Sequence, residues 1–250
     1  MGRDNPARVS MQRFSVISYN IHECVGSDGC RDPSRIARII KESGADVIGL
    51  QEVHSDLSGG DDEQLHQMDY LAKSTGLQAV AGTAFQRRNG DYGNVLLTSH
   101  PILNVQRLDL SIPGREPRGA LDVDLEIGGE AVRVIVTHLG LHPGERRFQV
   151  KRLLLALAEE RTRVVVLLSD INEWLPNSRS LRWLQERFGQ TPRLRTFPSR
   201  FPVFSLDRIW VSPPSAIVQL SIFSTALTRI ASDHLPLRAT IQIPSEGILR

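Results

Sequence analysis

The sequence predicts an α/β domain built from two β-sheets with helices on their outer sides. Three observations lead there. Short runs rich in Val, Ile and Leu recur along the whole chain at strand length. Helical signals are interleaved between them. The runs are also too numerous for one open sheet in a chain of 250 residues.

In chain order, the expected strands cover residues 14–19, 45–50, 95–98, 121–127, 132–137, 163–168, 206–211, 217–222 and 237–243. Leu121, Val123, Leu125 and Ile127 alternate, as on a half-buried strand. Residues 164–168 are continuously apolar, as in a strand buried on both faces. Between the first two strands, Asp32-Pro33 supplies an N-cap and a first-turn proline. Ile36, Ile39 and Ile40 follow at helical spacing, and Gly44 is the stop. A second helix is expected at 63–74, with Leu65, Met68, Leu71 and Ala72 inward. The longest is expected at 145–161, and a shorter one at 181–188 ends before Gly189. The 145–161 segment is basic on one face and Leu-rich on the other. Membrane-surface binding gives that pattern, but a helix packed on a sheet gives it more often.

At 40% hydrophobic, the chain has enough apolar material for one sizeable core. One catalytic domain over 11–245 is expected, after a flexible stretch at 1–10. The formal net charge of +2 permits an anionic substrate. It lacks the basic bias of an obligate duplex-DNA binder, and only Lys41, Lys73 and Lys151 are lysines. Cys24 and Cys30 fit neither a zinc pair nor a disulfide framework, and two free thiols are expected. No secretory signal or ~20-residue apolar span is evident, so the expected location is cytoplasmic.

The polar residues at strand ends carry the chemical information. The first strand runs into Asn20, the second into Gln51-Glu52, the fifth into His138 and the sixth into Asp170, with Asn172 two residues on. Asp207 opens an apolar strand, and Asp233-His234 precedes the last one. Each residue alone has a plainer reading. Asn20 could cap a turn, Glu52 could be a solvated strand end and His138 a satisfied buried histidine. Asp207 could pair with Arg208, and Asp233 could cap the turn before Pro236. Together they place ligands and acid–base groups on one rim. Oxygen ligands such as Glu52 and Asp233 suit Mg²⁺ or Mn²⁺, whereas zinc would want a His or Cys cluster. His22, His54, His66, His100 and His142 are not expected to be catalytic. Tyr92 and Asn94 line a pocket or form a turn. Trp174, Trp183 and Trp210 read as packing residues.

Five blocks, Ser18-Tyr19-Asn20-Ile21-His22, Leu50-Gln51-Glu52-Val53, Thr137-His138-Leu139-Gly140, Ser169-Asp170-Ile171-Asn172 and Ser232-Asp233-His234-Leu235-Pro236, occur in that order. In sequence and order they resemble the signature blocks of the endonuclease/exonuclease/phosphatase superfamily. The resemblance implies a four-layer α/β sandwich, with two mixed β-sheets packed face to face and helices outside. It also implies Mg²⁺- or Mn²⁺-dependent hydrolysis of a phosphoester by in-line attack of water. Asn20, Glu52 and Asp233 would bind or support the metal. Asp170 would orient or deprotonate the water, and Asn172 would hold the phosphate or polarise Asp170. Asp207 would pair with His234, a general acid–base or charge stabiliser. His138 would contact a phosphate oxygen or assist proton transfer. Arg118 would reach the substrate phosphate, for which its planar fork is suited.

Ser169 and Ile171 replace the Gly and Phe usual in the fourth block, while Asp170 and Asn172 remain. His22 and His138 depart from the DNA-repair pattern. Residues 117–121, 196–199 and 206–209 resemble the branch with sphingomyelinase-like and small bacterial members. The expected substrate is therefore a phospholipid headgroup or another small phosphodiester, with peripheral membrane contact conceivable. A nuclease on DNA or RNA is the alternative, and a non-catalytic phosphate-binding module the second.

Overall fold

A computed structural model describes residues 12–56, 66–87 and 90–243. The expected flexible stretch 1–10 and the start of the expected 63–74 helix, with Leu65, lie outside the described residues. No described helix is long and apolar enough to cross a membrane.

Among the described residues, eleven strands form two mixed sheets. The six-stranded sheet has the order β10 (Ile217–Ile222), β11 (Leu237–Gln242), β1 (Arg13–Asn20), β2 (Val47–Asp56), β4 (Gly90–Thr98), β3 (Gln78–Arg87). The five-stranded sheet has the order β5 (Ile102–Asp109), β6 (Gly119–Ile127), β7 (Glu130–His138), β8 (Val164–Asp170), β9 (Asp207–Ser212). The pairs β1–β2 and β7–β8 are parallel, and the other pairs antiparallel.

The sheets pack face to face. Val16, Leu96 and Ala239 of the first meet Val123, Val136, Val166 and Leu168 of the second in one fully dry layer. The approach is close at Gly49, where an added Cβ would stand 2.8 Å from Leu168 Cδ1 and 3.1 Å from Val136 Cγ2. Gly49→Val should therefore cost about 1–3 kcal/mol of stability by overpacking. Urea unfolding would measure this, and an unchanged midpoint would show that the sheets give way freely.

Helices cover the outer faces. Helix α1 (Pro33–Ser43) starts as expected, with the Asp32 carboxylate accepting from the Ser34 N–H, and ends at left-handed Gly44. With α2 (Gln67–Thr75) it covers the six-stranded sheet through Ile36, Ile39, Ile40 and Leu71. Helices α3 (Pro143–Ala156) and α4 (Arg179–Phe188) cover the other sheet. Four layers result, as the family resemblance implies.

Helix α3 departs from the expected pattern. It ends at Ala156 rather than 161, and its inward face carries Glu145, Arg146 and Gln149 beside Val150 and Leu153, while Phe148 and Leu155 are exposed. The polar face is inward because it has work there. The Gln149 side-chain oxygen accepts from Gly140 N–H, and the Arg146 guanidinium donates to the carbonyls of Gly140 and Leu141. At the other end, Arg133 grips Asp122 through two nitrogens and donates to the carbonyls of Ala156 and Glu159, satisfying the helix terminus. Trp210 is fully buried, as a packing residue should be. Trp174 is exposed, because its segment leaves β8 over the rim rather than over the sheet. Cys24 and Cys30 are free thiols.

Candidate active site

Topology gathers the polar strand ends. Asn20 ends β1, His138 ends β7 and Asp170 ends β8; Asp207 begins β9, and Asp233-His234 directly precede β11. Parallel strands present their C-terminal ends together, and antiparallel neighbours bring their starts to the same edge. The register sharpens this. His138 is opposite Asp170, which is opposite Asp207, so three adjacent strands present them in one row.

Glu52 reaches the rim differently from expectation. The strand does not stop at Leu50 but continues to Asp56, with an irregularity between Leu50 and Val53 in its pairing with β4. Glu52 has φ 56° there. Such a left-handed backbone costs a non-glycine residue about 1 kcal/mol. The cost is offset by its use, because the bulge turns a side chain out of the strand alternation. Asn172, after β8, is likewise left-handed with φ 49° and is held by hydrogen bonds on both sides.

These residues form one network. The Asn20 amide nitrogen donates to Glu52 Oε1 at 2.9 Å and to Asp170 Oδ2 at 3.0 Å. Its amide oxygen accepts the His22 backbone N–H. In this arrangement Asn20 spaces two carboxylates. Asp170 Oδ1 accepts the Asn172 N–H at 2.9 Å. His234 Nδ1 lies 2.8 Å from Asp207 Oδ2, and its Nε2 lies 3.7 Å from Asp170 Oδ2. The same Asp207 oxygen accepts a hydrogen bond from the Thr196 hydroxyl. Phe197 packs on the His234 ring, with centroids 4.8 Å apart. Asp207 thus pairs with His234 and not with Arg208, whose guanidinium reaches the Pro192 carbonyl.

The two histidines are electrostatic opposites. Burial, with Arg118 next, pushes the His138 pKa down to about 3, so this imidazole is neutral. Its ring nitrogens face Arg118 Nη1 at 3.1 Å and the Asn172 amide nitrogen at 2.8 Å. Arginine can only donate, so Nδ1 carries the lone pair if that contact is a hydrogen bond. The Asn172 amide nitrogen, which donates to the Leu139 carbonyl, then approaches Nε2–H without bonding it. For His234, burial lowers the pKa, but Asp207 and then Asp170 outweigh it and push the value up to about 10. His234 is therefore a cationic donor. Burial, and then Asp170 and Asp233, raise the Glu52 pKa.

A cleft beside the row is lined by Glu52, Tyr92, Asn94, Arg118, Gly119 and His138. Arg118 is buried, and its Nε has no acceptor among the described residues. Tyr92 and Asn94 stand on β4 rather than in a turn, because Asp91–Asn94 pair with β2 and β3. Burial and then Glu52 raise the Tyr92 pKa, so its hydroxyl stays protonated. Asp233, at the open side, has His22 Nδ1 at 3.8 Å.

Sequence reasoning missed Thr196, whose hydroxyl fixes Asp207. It also missed the buried pair of Arg146 with Glu173, the residue after Asn172, at 3.1 Å. This pair ties the loop after His138 to the loop after Asp170. A buried arginine in a helix that otherwise reads as amphipathic gives no local sign of such a partner.

The model for the Endonuclease/Exonuclease/phosphatase family matches residues 17–234. The chain belongs to this family. Its members are hydrolytic phosphoesterases and nucleases, so phosphoester hydrolysis is the activity class of the fold. "Uncharacterized protein YbhP" of Escherichia coli (strain K12) is 28% identical over 256 residues, covering 95% of this chain and 100% of that protein. The endonuclease/exonuclease/phosphatase from Beutenbergia cavernae DSM 12333 superposes with TM-score 0.73 at 23% identity, over 94% of this chain and 72% of that one. The mannosyl-6-phosphatase of Bacteroides thetaiotaomicron VPI-5482 gives 0.72 at 17% identity, over 92% and 100%. At these identities the structures share the fold.

Proposed function

We propose that the chain is a Mg²⁺- or Mn²⁺-dependent phosphodiesterase that acts on a phospholipid headgroup or another small phosphodiester by in-line attack of water. The observation that carries the reading is the row His138–Asp170–Asp207 on adjacent strands, with His234 bonded to Asp207 and facing Asp170.

The donor set fits a hard divalent ion. Burial, and then Asp170 and Asp233, make Glu52 costly to charge, and a cation offsets that cost. The ligand-type atoms of Asp170, Asp207 and His234 also lie within 4.8 Å of one another. Asp207 Oδ2 and His234 Nδ1 bond each other, which gives that pair to proton and charge handling; the ion is assigned to the carboxylates of Glu52 and Asp233, with Asn20 supporting Glu52. Bound there, it would supply Lewis-acid polarisation of a phosphate oxygen.

The chain's own residues do the rest. Asp170, aimed by Asn20 and the Asn172 N–H, is the base that takes a proton from the attacking water. Cationic His234, steadied by Asp207 and Thr196, donates toward the phosphoryl oxygens as charge develops. Neutral His138 and Asn172 line the opposite side. Arg118 offers the phosphate its unpaired Nε.

The test is a substrate panel with Mg²⁺: phosphatidylglycerol, sphingomyelin, inositol phosphates, plasmid DNA, RNA and a sugar phosphomonoester. Turnover of a lipid or small diester, sharply lowered in Glu52→Gln at the same Mg²⁺ concentration, is expected. Plasmid nicking or RNA cleavage that falls likewise in Glu52→Gln would put the nuclease in its place.

A further inference from the structure

Beside the site, the segment from Phe197 to Phe204 folds back on itself. Phe204 N–H donates to the Phe197 carbonyl at 2.8 Å, and Phe197 N–H to the Phe204 carbonyl at 3.1 Å. Phe201 at the tip is 75% exposed, with Val203 and Phe204 also exposed. Exposed Ile230 joins them, because Arg229 reaches the Arg200 carbonyl at 3.4 Å and the Ser199 hydroxyl donates to the Arg229 carbonyl. Large apolar side chains held in water by a closed turn are costly without a partner.

Charge says which partner. Between Gly189 and Ser232 the charged residues are Arg193, Arg195, Arg200, Asp207, Arg208 and Arg229. Asp207 and Arg208 are buried, so the surface of this stretch is purely cationic. The nearby Asp28 is paired with Arg35 at 2.7 Å, a guanidinium it shares with Asp32. We propose that Phe201, Val203, Phe204 and Ile230, flanked by Arg200 and Arg229, dock this chain on an anionic phospholipid surface. Apolar tips enter the headgroup layer while arginines meet lipid phosphates. Two of the four apolar tips, Val203 and Ile230, are aliphatic, which suits an acyl-chain boundary better than a row of stacked bases. A single turn is also small against the ~1,200 Å² that a stable dimer buries.

The surface is continuous with the site. Phe197 packs on His234, and Ser199 N–H donates to the Asp233 carbonyl at 2.7 Å. Docking therefore brings the mouth of the site to the phosphate layer. Only this last consequence rests on the phosphodiesterase reading, since binding is measured without turnover.

The test is sedimentation of the full chain with phosphatidylcholine vesicles, alone or mixed with phosphatidylglycerol. The wild type should partition at least ~10-fold better onto the mixed vesicles, less so in high salt. Each arginine near such a surface contributes roughly fivefold, so R200E with R229E should lose at least ~25-fold. F201S with V203S should lose at least ~10-fold. Both variants should hydrolyse soluble bis-(p-nitrophenyl) phosphate at the wild-type rate, showing an intact fold. Equal partitioning onto both vesicles, or variants that bind like wild type, would overturn the docking. So would RNA binding or self-association that needs the same residues in place of vesicle binding. Vesicle binding without any diester turnover would sink the phosphodiesterase reading and leave the docking standing.

Discussion

Chelation with EDTA should abolish hydrolysis of bis-(p-nitrophenyl) phosphate, and Mg²⁺ or Mn²⁺ should restore it. Glu52, Asp170 and Asp233 share one rim, and burial already makes the Glu52 charge expensive. A phosphodiester brings a further negative charge. Without a cation, the site and its substrate repel each other and the transition-state charge is poorly met. Glu52→Gln keeps an oxygen to accept from Asn20 but removes one charge. It should raise the metal concentration for half-maximal activity at least ~10-fold, the scale seen when groups supporting a metal are altered. A metal titration of the variant gives that number. Undiminished turnover in EDTA would sink the metal-dependent mechanism outright.

The elements legible in the sequence were those whose residues declare their surroundings. Strands β1, β7 and β8 are buried on both faces over most of their length, and their Val-, Ile- and Leu-rich segments show it. Strands β3 and β5 escaped for opposite reasons. Gln78–Arg87 is rich in Ala and Gly, weak strand formers, and its Gly82 exists because Leu121 leaves no room: an added Cβ would stand 2.6 Å from Leu121 Cβ. Ile102–Asp109 is an edge strand, mostly exposed, with Asn104, Gln106 and Arg107 along it. Neither has the apolar run that marks a strand.

The site was legible as a set and illegible as geometry. Asn20, His138, Asp170, Asp207 and His234 stand where strands begin or end, and polarity after an apolar run is a local signal. The bulge at Glu52 is not local, because it depends on the register with β4. Nor are the contacts of Thr196 with Asp207 or Arg146 with Glu173, which join segments far apart in the chain. Asn20 shows the limit best. Its position is plain from sequence, but only the structure shows its nitrogen between two carboxylates.

Asp170→Asn and His234→Ala should each cost at least ~100-fold in kcat, the usual scale for a positioned acid or base. Asp170→Asn is nearly isosteric at a buried position, so the loss reports charge and basicity rather than shape. Near-normal turnover would remove it as the base. The Asp207–His234 pair allows a stricter test. Asp207 acts only through the imidazole that it holds and charges, and without it burial would pull the His234 pKa back down. Asp207→Asn alone should therefore lose much of what His234→Ala loses. The double variant should then lose little more than His234→Ala, because residues acting as one unit are not additive. Urea unfolding of each variant would separate lost stability from lost catalysis. Additive losses in kcat would mean that Asp207 serves the reaction by a route other than His234, and the dyad assignment would fall.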